Sequence, residues 1–126
     1  MVLVDTSVWI RFLAGREPYA TGLDELLSRD EVAGHDMVFG ELLLGARGVR
    51  TGLLESFLRL QQAATVSHDE VVEFVKARRL SARGVGWVDI HLLASAMVGK
   101  LPLWTADQHL AAVAKELRIA FKETPS

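Results

Sequence analysis

The chain has no cysteine among its 126 residues. Disulfide scaffolds, Cys-ligated zinc and thiol catalysis are thereby excluded. Aromatic residues make up only 7% of the sequence. Leu, Val and Ala carry the apolar content, as suits an α/β core of aliphatic strands and helices. No apolar run approaches the roughly 18 residues of a membrane span; Leu42-Leu43-Leu44 is typical. No basic segment precedes the first apolar run, and Asp5 interrupts it, so no secretory signal is expected. The expectation is a cytoplasmic protein. Half the residues are hydrophobic and the mean hydropathy is +0.23, which excludes disorder as the dominant state. The length suits one domain spanning residues 1–126.

The formal net charge is −2, from 14 Lys plus Arg against 16 Asp plus Glu. Ten of the cations are Arg, the better fork for phosphate. Their placement matters more than their sum.

Short apolar segments alternate with helical ones. Strands are predicted over Met1–Val4, Glu31–Gly34, Ala63–Val66, Leu101–Thr105 and Arg118–Phe121. Helices are predicted over Ser7–Ala14, Tyr19–Arg29, Met37–Arg47 with Asp36 as cap, and Thr51–Leu60. Ser67 with Glu70 forms a capping pattern that opens a helix to Arg83. Val88–Val98 and Asp107–Leu117 complete the set, and Thr124-Pro125-Ser126 reads as a frayed tail. Such alternation implies parallel pairing with right-handed crossovers. The expected fold is a three-layer α/β/α sandwich around a short, mainly parallel sheet. Functional residues in such sheets gather beyond the carboxyl ends of the strands.

Four carboxylates stand where structure alone does not demand them. Asp5 closes the first strand; it could simply cap the next helix, but Thr6 and Ser7 can do that as well. Glu41 shares a helical stripe with Met37, Val38, Leu44 and Gly45, a face where Glu is seldom buried without a partner. Its plain alternative is a stripe edge that reaches solvent or an Arg. Asp89 lies in the first turn of a helix whose core stripe is Ile90, Leu93, Ala94 and Met97; the helix dipole alone would favour it. Asp107 mirrors Asp5 and could again be only a cap.

In one small parallel sheet all four could meet at one crevice. Together they would repel, and a divalent cation relieves that repulsion. Hard oxygen ligands select Mg²⁺ or Mn²⁺. Such ions activate water and stabilise an in-line phosphoryl displacement. Setting four of the 16 acids aside against the 14 cations moves the balance from −2 to +2. Lys76, Arg78, Arg79 and Arg83 then cluster without an acid among them, and Arg47 and Arg50 follow the Glu41 helix. RNA or DNA is the natural polyanion for such a surface, although a basic cluster is also an ordinary solvated helix face.

His35, His68, His91 and His109 lack the spacing of a helical metal site. His109 alone could approach the acids, from the turn after Asp107. Trp9, Trp87 and Trp104 are read as packing residues, with Trp87 beside the Gly84–Gly86 loop the exception best placed to stack on a base.

The segments Val4-Asp5-Thr6-Ser7-Val8-Trp9, Gly40-Glu41-Leu42-Leu43-Leu44-Gly45, Asp89-Ile90 with Leu93-Ala94-Ser95-Ala96, and Leu103-Trp104-Thr105-Ala106-Asp107 stand in this order. With them the chain resembles, from Val4 to about Phe121, the PIN-domain ribonucleases of the VapC toxin type. The resemblance implies a metal-dependent endoribonuclease inhibited by a VapB-like antitoxin and assembled as a homodimer. It implies Asp5, Glu41, Asp89 and Asp107 as the catalytic, metal-binding acids. Thr6, Ser7 and Thr105 would support them through hydroxyl hydrogen bonds. Many relatives carry a further acid two residues after Asp107, where this chain has His109.

Two other classes place acids similarly. A haloacid-dehalogenase-type phosphatase needs a second Asp two residues after the first, where Ser7 stands. A non-catalytic binding or signalling module with an acidic pocket, such as a phospho-acceptor receiver, would carry its Asp on a middle strand. RNA contacts are expected from Arg78, Arg79 and Arg83. Leu42, Leu43, Leu44, Leu53, Leu54, Phe57, Leu58 and Leu60 exceed one buried stripe on each of two helices. An exposed apolar groove is therefore expected there, suited to an antitoxin segment.

Overall fold

The computed structural model describes residues 1–45 and 51–122. The expected helix end at Arg47, the cations Arg47 and Arg50, and the tail Thr124–Ser126 lie outside the described residues.

The elements in chain order are β1 (Val2–Val4), α1 (Thr6–Leu13), α2 (Tyr19–Ser28), β2 (Val32–Gly34), α3 (Asp36–Leu44), α4 (Leu53–Phe57), β3 (Gln61–Gln62), α5 (His68–Arg78), α6 (Trp87–Gly99), β4 (Leu103–Trp104) and α7 (Gln108–Glu116). Among the described residues, four strands form one parallel sheet in the order β3-β2-β1-β4. The α/β sandwich expected from the alternation of elements is therefore present. Val2, Leu3 and Val4 are all buried, as a central strand covered on both faces requires. The chain builds outward from β1 to β2 and β3, then returns to place β4 on the other side of β1. The switch point thus lies between the carboxyl ends of β1 and β4, where open α/β sheets place their ligands.

One buried cluster runs through both helical layers and includes Val8, Trp9, Leu23, Val38, Phe57, Leu93, Leu103 and Leu110. Trp9 packs edge-on against Phe12 and Phe57. Trp104 stacks on Tyr19 and meets Phe121. Both are core residues, as read from sequence.

Five local expectations are corrected. The helix opened by Ser67 ends at Arg78 rather than Arg83, and the one expected over Thr51–Leu60 is confined to Leu53–Phe57. The third strand is Gln61–Gln62, not Ala63–Val66. Gly34 leaves room for the Gln62 side chain and the Phe57 ring, where a Cβ would sit 2.5 Å and 3.0 Å from them. That close approach draws the chain to the edge of β2 at Gln61 and Gln62. The last predicted strand is reduced to a single parallel bridge between Leu103 and Ala120. The cap of α3 is His35 rather than Asp36. Nδ1 of His35 accepts the Met37 amide at 3.1 Å, and Asp36 becomes the first helical residue.

His35 is only 1% exposed. Burial holds its pKa below the ordinary 6.5, against the attraction of Asp36 and with the repulsion of His91. The folded state therefore binds fewer protons here than the unfolded state. This contribution to stability is whole above pH 6.5 and is lost as the pH falls through the lowered folded value. Melting temperature is expected to drop on acidification below that point, and less steeply in His35→Asn. An identical pH slope in the two proteins would assign the loss to other groups.

Candidate active site

Asp5 follows β1 and is 4% exposed. It occupies the cap position of α1 but makes no side-chain capping bond, so capping does not explain it. Ser7 Oγ donates to Asp5 Oδ2 at 2.6 Å, and Thr105 Oγ1 donates to the same oxygen at 2.8 Å. Ser7 Oγ also accepts the Ala106 amide, and Thr105 Oγ1 accepts the Asp107 amide. The two hydroxyls clip the ends of β1 and β4 together, with the Asp5 carboxylate held between them.

Glu41 reaches the surface of α3, where Thr6 Oγ1 donates to its Oε1 at 2.6 Å. Glu41 is exposed, so its plainer reading as a stripe edge that reaches solvent holds, and its partner is a hydroxyl of α1 rather than an arginine. Asp89 accepts the Gly86 amide on Oδ2 at 3.1 Å, and Asp107 accepts the Leu110 amide on Oδ1 at 2.9 Å. Asp107 therefore does serve as a cap, the plainer of its two readings, and Asp89 holds the cap amide of its helix as well as lying where the helix dipole favours it.

The capping bonds do not use up the carboxylates. In each of the four acids one oxygen is anchored and the other has no hydrogen-bond partner among the described residues: Oδ1 of Asp5, Oε2 of Glu41, Oδ1 of Asp89 and Oδ2 of Asp107. Trp9 Nε1 is the sole buried side-chain polar atom left unpaired there, so water reaches the open oxygens. The acids also sense one another. Asp89 is pushed above the ordinary 3.8 by burial first; the Gly86 amide opposes this, and the charges of Asp5, Asp107 and Glu41 add to it.

The donor set suits a hard divalent cation in chemistry and in charge. As the side chains stand, no three of the described His, Asp or Glu residues form a group tight enough to hold an ion.

The other candidate side chains separate clearly. Arg83 is engaged by Glu116 through two bonds of 2.9 and 2.7 Å. That bond and its charge raise the Arg83 pKa and lower that of Glu116. Lys76 lies 3.7 Å from Glu73. The basic segment, free of acids within itself, thus meets acids from the preceding turn and from α7. Arg78 and Arg79 are exposed, with Arg79 at φ 54° ending α5. The His109 ring packs over Gly84, and its Nδ1 lies 4.0 Å from Asp107 Oδ1. Trp87 is 46% exposed and touches His68 and His91. Sequence reasoning did not find the His35–Ser95 hydrogen bond or Glu116, because both pairings join residues far apart in the chain.

The structure thus has a switch point beside β1, a hydroxyl clip between the ends of β1 and β4, and four half-open carboxylates, of which Asp89 feels the charge of the other three. The PIN domain family matches residues 2–116, and the chain belongs to that family. Within it the chain stands with the VapC-type ribonuclease toxins. It is 44% identical to Ribonuclease VapC32 of Mycobacterium tuberculosis over 100% of each chain. It is 31% identical to Ribonuclease VapC19 of the same organism, over 85% of this chain and 89% of that one. The crystal structure of PAE2754 from Pyrobaculum aerophilum shares the fold, with a TM-score of 0.63 at 20% identity, covering 95% of this chain and 87% of that one.

Because the folded pKa of Asp89 is raised, its charge opposes folding above the unfolded value, and the penalty disappears below it. Asp89→Asn keeps an oxygen for the Gly86 amide and removes the charge. In metal-free buffer at neutral pH it is expected to melt at or above the parent temperature. A melting point several degrees lower would show that the charge is not a burden.

Proposed function

We propose that the chain is a Mg²⁺- or Mn²⁺-dependent endoribonuclease that hydrolyses RNA phosphodiester bonds. It acts as the toxin of a type II toxin–antitoxin pair in the cytoplasm, as one PIN domain over residues 1–126. The four carboxylates, each anchored through one oxygen and open at the other, carry this reading. No described helix is long and apolar enough to cross a membrane.

Asp5, Glu41, Asp89 and Asp107 are the residues that would hold the cation. When bound, the ion supplies charge that makes water a better nucleophile and stabilises the departing oxygen. Ser7 and Thr105 fix Asp5 Oδ2 and so orient Oδ1; Thr6 does the same for Glu41. Arg78 and Arg79 are the exposed cations suited to the RNA backbone. Arg83 reaches it only by leaving Glu116.

The inhibitor is a VapB-like antitoxin, and the toxin is a homodimer. Leu43, Leu44 and Leu58 are 50%, 89% and 64% exposed, while Leu42 and Phe57 are buried. The α3–α4 face therefore offers a partner helix an apolar seat next to Glu41. A basic side chain from that partner would satisfy the same negative charge as the cation. An acidic-pocket binding module is the second reading, and it predicts metal or ligand binding without cleavage.

Asp5→Asn is expected to abolish Mg²⁺- or Mn²⁺-dependent RNA cleavage in a protein that melts normally. Full cleavage by a clean, folded Asp5→Asn protein overturns the mechanism. Arg78→Ala with Arg79→Ala is expected to weaken RNA binding and lower its salt slope by about 1–2. An unchanged slope would make these cations an ordinary solvated face.

A further inference from the structure

A helix cap needs one acceptor, and a serine or aspartate supplies it. His35 has a second nitrogen, and the structure uses it. Nδ1 accepts the Met37 amide, so Nε2 carries the proton and faces Ser95 Oγ at 2.9 Å. Ser95 is 0% exposed, and the bond is buried. His35 caps α3, which carries Glu41; Ser95 lies in α6, which carries Asp89. Helix α3 packs chiefly on α1 and α4, and α6 packs chiefly on α5. The His35–Ser95 bond thus ties together two helices whose main packing partners are different.

We propose that His35 and Ser95 are positioning residues for the acidic site: their buried hydrogen bond sets the Glu41 helix against the Asp89 helix. Each acid lies six residues along its helix from the bond, or ~9 Å at 1.5 Å per residue. A tilt of ~10° about the bond displaces a carboxylate by ~1.5 Å over that length. A misplacement of ~1 Å can cost about 100-fold in rate. The imidazole spans both partners only in its neutral form, which burial favours; Asp36 and His91 are the charged or titratable groups that act on it.

The test takes advantage of the absence of cysteine. Spin labels are placed at the exposed positions Leu44→Cys and Val98→Cys, on α3 and α6, and their separation is measured by pulsed electron paramagnetic resonance. Ser95→Ala removes the link and keeps the cap. His35→Asn keeps a capping oxygen and is too short to reach Ser95. Both variants are expected to shift or broaden the distance distribution. In the unlabelled protein both are expected to lower kcat for RNA cleavage at least tenfold, with KM within about twofold. The double variant is expected to be no worse than the worse single one, because both remove the same bond.

The activity readout rests on the endoribonuclease reading, and the distance readout does not. A parent protein that fails to cleave RNA, with variants that still shift the distance, overturns that reading and supports the bridge. Folded variants with unchanged distances and unchanged kcat overturn the bridge.

Discussion

The electrostatic load on the Asp89 carboxylate, set first by burial and then by the charges of Asp5, Asp107 and Glu41, is the constraint that this fold has to accommodate. Burial and those three charges both favour the protonated form of Asp89 relative to an exposed aspartate. Nothing in an aliphatic core calls for that concentration of charge, and hydrophobic burial elsewhere has to outweigh it. The hydroxyls of Thr6, Ser7 and Thr105 moderate the cost, since each donates to a carboxylate. They also leave the second oxygen of each acid they touch free to bind something else.

The fold supplies the frame by economical means. Its strands are two or three residues long, so the sheet is little more than a register that sets helices at fixed positions. The order β3-β2-β1-β4 puts the switch point beside β1, and the Ser7 and Thr105 hydroxyls join the ends of β1 and β4 there. Around it, Gly84 receives the His109 ring, and Arg83 ties the loop before α6 to Glu116 on α7. The loop that feeds Asp89 is thereby held from the same side as Asp107. His35 and Ser95 connect α6 to the cap of α3.

Much of this was legible in the residues. Apolar triplets followed by Asp or Thr-Ala-Asp marked the ends of β1 and β4, because burial on both faces demands an unbroken apolar run and the turn beyond it demands polar atoms. Helices α1, α2, α6 and α7 lay within a residue or two of expectation, since Gly, Ser and Asp signal their ends locally. The edge strand was misplaced because its position depends on space above Gly34, a fact of three dimensions. The four acids could be singled out one by one. Which of them also capped a helix could not: Asp5 does not, whereas Asp107 does, and both have the same local sequence logic. Glu116 answers Arg83 across 33 residues, so the basic segment seemed unopposed in sequence while being partly neutralised in space.

The charge cluster itself can be measured without substrate. Carboxyl carbon-13 resonance titration of Asp89, in metal-free protein and again with saturating Mg²⁺, reads its proton affinity directly. The expected result is a midpoint above the ordinary 3.8 in the metal-free protein. It should fall on adding Mg²⁺ and also on Asp107→Asn. An ordinary midpoint, unmoved by both the cation and the loss of Asp107, would contradict a shared acidic site.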